Sequence, residues 1–93
     1  MHIENVEIYS DQSNAVVLRH PGRKFPGILI QGDTLHALCV LATSAYAASE
    51  SLDPAARDEI LGLQASLSAL LTHYKAVLGE HQISLPFVEA AGA

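Results

Sequence analysis

The chain has 93 residues, nearly half of them apolar, 16% charged and a formal net charge of −5, which marks one small globular domain and excludes a disordered tail. A chain this short buries only about 60–65% of its unfolded surface, so its stability is modest unless a partner adds to it. The lone cysteine, Cys39, rules out an intramolecular disulfide and fits a reducing compartment. The acidic balance excludes a nucleic-acid binder, no apolar run is long enough for a membrane span, and residues 1–5 lack a signal-peptide pattern. Cytoplasm is the expected location.

Ile3–Tyr9 has the composition of a first strand, and Asp11-Gln12-Ser13-Asn14 that of a turn, because these side chains bond locally to the backbone. Ala15–Arg19 is then a second strand, antiparallel to the first. His20–Gly27 forms a stiff loop with two X-Pro bonds, and the β-branched run Ile28-Leu29-Ile30 is a third strand. Gly32 frees the backbone for a turn, and Asp33 offers its carboxylate to one of the first free N–H groups of a helix beginning at Thr34.

The first helix runs to about Ser49, with an apolar stripe of Leu35, Leu38, Ala42 and Ala45 and with Cys39 and Tyr46 beside it. Asp53-Pro54 restarts a helix, since Asp caps and Pro suits the first helical position. This second helix carries Ile60, Leu63, Leu67, Leu70, Tyr74 and Val77 in alternating steps of three and four, and Gly79 is placed to end it. Gly62, opposite the Ala-rich first helix, would let the two backbones approach closely. The expected fold is therefore α+β: a three-stranded antiparallel meander packed on an antiparallel two-helix hairpin, in the order βββαα. It is one domain, with the meander in residues 1–31, the hairpin in 32–79 and an extended tail or edge strand in 80–93.

Two mismatches point to a further cover. The second helix, at 1.5 Å per residue, would be roughly 37 Å long against roughly 24 Å for the first, leaving part of Leu67–Leu78 open. Strands two and three are also apolar on both faces, whereas a sheet with one wet face alternates. The tail or a second chain would cover these surfaces, so a homodimer is one expected form.

The chemistry is sparse. Residues 1–31 balance three acids with three bases, while residues 32–93 hold seven acids and two bases. Arg19, Arg23 and Lys24 cluster in the loop, where arginine forks can grip carboxylates or phosphates. His36 and Cys39, three apart on a helix, lack the further ligands of a zinc site, and Cys39 on the apolar stripe would be inert. His73 and His81 are placed near the terminal carbonyls of the second helix. No catalytic constellation and no cofactor motif is present.

The segment Arg19-His20-Pro21-Gly22-Arg23-Lys24-Phe25-Pro26-Gly27-Ile28-Leu29-Ile30-Gln31-Gly32-Asp33-Thr34-Leu35 resembles the signature of a small bacterial family of unknown function. Short acidic proteins of this kind are similar to toxin-immunity proteins, and the resemblance implies an inhibitor that occludes a toxin domain's basic cleft. The expected function is thus a non-enzymatic protein-binding module. Its contact residues would be Tyr9, Arg19, Arg23 and Lys24, with Asp58 and Glu59 on the second helix steering the encounter. The alternative is a homodimeric regulatory domain that binds a small anionic metabolite through Arg19, Arg23 and Lys24.

Overall fold

The computed structural model describes residues 1–89. Its elements follow the order βββαα, with β1 at Glu7–Ser10, β2 at Val16–Arg19, β3 at Gly27–Leu29, α1 at Gly32–Ala47 and α2 at Pro54–Glu80. The chain divides into a strand unit, Met1–Gln31, and a helical unit that begins at Gly32.

The strand unit is an antiparallel sheet of order β1-β2-β3. Val17 pairs with Ile28 and Leu18 with both Ile8 and Gly27, while the partner of β2 moves from Ile8 to Ser10 between Leu18 and Val17. One residue of β1, Tyr9, is therefore extra, and the strand bulges there. Only the second half of the expected Ile3–Tyr9 strand forms. Residues 1–6 pair with nothing in the sheet, and His2 Nε2 bonds locally to Glu4 at 2.7 Å.

Both apolar faces expected of β2 and β3 are present, because cross-strand partners share a face. Ile8, Leu18, Val16 and Leu29 lie on one side, and Val17 and Ile28 on the other. No residue of 1–31 is buried; β2 is half-buried and β1 and β3 are exposed throughout.

The helical unit has a seam. α1 begins at Gly32, two residues earlier than expected, so Asp33 lies inside the first turn, where its Oδ1 accepts the Thr34 N–H at 2.9 Å. Cys39 and Ala42 are the buried hydrophobic residues, with Leu35, Leu38 and Tyr46 half-buried around them. Ala45, expected on this stripe, is exposed. The apolar face turns toward Cys39 and Tyr46, following the 3.6-residue period rather than a strict heptad.

The close approach is made by a different glycine. Gly62 is exposed, and a Cβ there would meet nothing within 4 Å. Gly32 is buried instead, and a Cβ on it would come within 2.7 Å of Tyr74 Cε1 and nearer still to Cζ and Oη. The antiparallel hairpin thus brings the start of α1 against the last third of α2.

α1 stops at Ala47 and the connection folds around Ser49, which is 1% exposed. Its Oγ donates to the Tyr46 carbonyl at 2.6 Å and accepts from Arg57 Nε at 3.2 Å. The Arg57 guanidinium stacks 4.5 Å from the centre of the Tyr46 ring. Asp53 caps α2 as expected, accepting the Ala55 N–H at 3.1 Å with Pro54 at the first helical position.

Gly79 does not end α2. The helix continues to Glu80, and Gln82 takes the left-handed conformation at φ 59°. The Ile83 N–H then bonds to the Leu78 carbonyl at 2.9 Å and the Gln82 N–H to that of Gly79 at 3.2 Å, the two bonds of a Schellman cap with glutamine where glycine is usual. Backbone groups therefore meet the terminal carbonyls, and among the described residues neither the His73 nor the His81 ring bonds to them.

Beyond the cap the chain is an extended arm and forms no strand. Phe87 stacks on His36 with ring centres 4.1 Å apart and planes 5° from parallel, and Glu89 pairs with Lys75. The arm thus touches both helices, at His36 of α1 and at Lys75 of α2. Leu63 and Leu70 remain exposed. The rest of the expected tail, residues 90–93, lies outside the described residues.

Candidate functional site

Among the described residues each unit has a hollow. In the strand unit, the turn after β2 is held by the Arg23 N–H donating to the His20 carbonyl at 2.9 Å, with Pro21 and Gly22 at its corners. The Gly22 N–H donates to His20 Nδ1 at 3.0 Å, which fixes that ring and leaves Nε2 to carry the proton of the neutral form. The turn delivers Phe25, through Pro26, to the mouth of a hollow of about 330 Å³. Leu18, Gly27 and Leu29, which share one face, line it with Ile28 of the edge strand, and His20 and Arg23 are its polar members.

The three loop cations differ in what they do. Arg19 is committed, since it pairs with Glu7 directly across the β1–β2 ladder and donates through Nη1 to the Arg23 carbonyl at 3.3 Å. Lys24 places Nζ 5.4 Å from the Phe25 ring centre, a cation–π contact worth about 0.5–1 kcal/mol at an exposed site. Arg23 lies on the rim of the hollow, and among the described residues neither it nor Lys24 forms an ion pair with a carboxylate.

Tyr9 stands in the bulge of β1, and β2 separates that strand from β3. It is exposed but does not line the hollow. Asp58 and Glu59 are exposed in the helical unit, early in α2, and form no ion pair among the described residues. The expected contact set is thus divided between the two units. Residue-type reasoning about the loop missed Phe25, Leu18 and Leu29, whose part in the hollow follows from the β2–β3 pairing. The signal for Phe25 was present in its place between the loop cations and Pro26.

The helical unit holds the larger space, a groove of about 600 Å³ between α1, α2 and the arm. Cys39, Val40 and Leu71 line it, with Thr43, Ser44 and Ser68 as its hydroxyls and Lys75 and Glu89 at one side. Its charged pair is internally matched, its His36 ring is covered by Phe87, and burial pushes the Cys39 thiol above its ordinary pKa. That thiol is correspondingly less nucleophilic. Among the described residues no three His, Cys, Asp or Glu side chains gather as a metal-binding group, and no helix is long and apolar enough to cross a membrane.

The chain is α+β: a strand unit whose apolar side chains are exposed beside Arg23 and Lys24, and a helical hairpin with an arm laid against it. A family model described as "Family of unknown function (DUF6959)" matches residues 1–87, and the chain belongs to that family. No curated protein and no solved structure matches it.

Proposed function

We propose that this chain is a non-enzymatic protein-binding module that docks through its strand unit. One observation carries the reading: the strand unit buries nothing, while Phe25 is 73% exposed, Ile28 61%, Tyr9 59% and Ile8 56%. Covering such a side chain stabilises a complex by about 1.5–3 kcal/mol each, and small sheets need a packed face to persist. Exposed apolar side chains on both faces of a small sheet, with charged groups beside them, favour a contact surface.

The finer form of the proposal is an immunity-type inhibitor of a bacterial toxin acting in the cytoplasm. The seven acids in residues 32–93, Asp58 and Glu59 among them, support it by favouring a basic cleft on the target. The free thiol of Cys39 supports a reducing compartment.

The test is affinity capture from the source cells with the tagged wild type and with an Ile8→Ser/Phe25→Ser/Ile28→Ser variant, each eluate weighed by light scattering. The expected result is a stoichiometric protein held by the wild type and lost by the variant, whose helical circular dichroism is unchanged. A wild type that elutes as a bare monomer under every growth condition would overturn the reading.

A further inference from the structure

The hollow at β2 and β3 restricts what such a partner presents, and the following rests on the protein-binding reading above. We propose that it takes an extended segment in which an apolar side chain stands two residues from a carboxylate, with the apolar group in the hollow and the carboxylate on Arg23.

Charge selects the carboxylate. Arg19 already has Glu7, whereas Arg23 and Lys24 have no acidic partner among the described residues, and no acid lines the hollow. A guanidinium fork on the rim is matched in shape by a carboxylate, which it binds in bidentate fashion. The walls select the apolar neighbour. Leu18, Phe25, Ile28 and Leu29 are hydrocarbon, so a bare inorganic anion would meet Arg23 and leave those walls wet.

Size and edge select a chain segment. A space of about 330 Å³ lies at the bottom of the range for small-molecule pockets, about 300–1,000 Å³, which suits one or two side chains. β3 is an edge strand, so its outward N–H and C=O groups offer a ladder for an added strand. The other edge is poorer for this purpose, because β1 bulges at Tyr9 and carries the Glu7–Arg19 pair. In an added strand every second side chain points to one face, so an apolar residue in the hollow shares its side with the residue two positions on, which is the one that can meet Arg23.

The probe is acetyl-Leu-Val-Asp-Val-amide, with Leu and Asp two residues apart, titrated into the isotope-labelled full chain and followed by amide chemical shifts, beside the same peptide with Asn for Asp. The acidic peptide is expected to move resonances of residues 18–29 and to bind at least about tenfold more tightly than its amide counterpart, as loss of a charged hydrogen-bonded pair implies. Arg23→Gln should erase that preference while leaving the dispersion of the spectrum unchanged, and Phe25→Ala should weaken both peptides. Equal binding of the two peptides overturns the carboxylate assignment and leaves the module reading intact. Inorganic phosphate that moves the same resonances as strongly shows a simple anion site, and shifts elsewhere or none at all overturn the assignment outright. The capture experiment can succeed in each of these cases, so the two failures are distinguishable.

Discussion

The strand unit and the helical unit meet the same physical demand in opposite ways. In residues 1–31 the apolar side chains remain open and one exposed arginine has no acidic partner among the described residues. From Gly32 onward the unit has internal contacts that the strands lack: Cys39 and Ala42 close a seam, Ser49 and Arg57 bond each other, and the arm lays Phe87 on His36, although Leu41, Leu63 and Leu70 stay exposed. Local contacts between two helices one short connection apart are cheap to form, whereas a three-stranded sheet needs a second layer to bury either face. The difference bears on the proposal: the helical unit has a buried seam, the strand unit has none, and it is on the latter that we propose contact with a partner.

The largest effect expected of this contrast is in amide hydrogen exchange. In the free protein, amides in the middle of α1 and α2 should exchange at least on the order of a hundredfold more slowly than those of β1–β3, because strands with no buried neighbours open locally. Strands as protected as the helices would break the comparison.

Next in size is the seam itself. Gly32→Ala drives a methyl into the Tyr74 ring, and overpacking of this kind costs about 1–3 kcal/mol. Thermal denaturation should show the loss, with a Tyr74→Ala background reducing it, while Gly62→Ala, which meets open space, should stabilise the helix by up to about 1 kcal/mol. Similar changes at the two glycines would show that Gly32 is not the point of close approach.

The smallest expected change sharpens the account of how α2 ends. Gln82→Gly should stabilise by about 1 kcal/mol, since a non-glycine residue is held at φ 59° and the left-handed region penalises a Cβ. An unchanged urea midpoint would argue that the Gln82 side chain compensates for its backbone.

Much of this organisation was legible in the residues alone. The apolar run Ala15–Leu18, the Asp53-Pro54 restart and the β-branched run before Gly32 are local signals, and local backbone preferences decide such elements. The order βββαα followed from them. The Arg23–Lys24 cluster was visible too, as cations between proline and glycine.

Tertiary structure decided the rest, because it depends on which residues meet. Gly32 rather than Gly62 became the tight contact, since the hairpin places Tyr74 beside the start of α1. Gln82 rather than Gly79 ended α2, since the capping bonds form one turn later. The arm became a cover for the helices instead of a strand, Arg19 was withdrawn from the loop cluster by Glu7 across the ladder, and Phe25 was carried to Leu18 and Leu29. Sequence determined the elements and their charges, for those are properties of neighbours along the chain. Only the fold decided which glycine, which arginine and which aromatic ring matter, because those roles belong to pairs far apart in the chain and close in space.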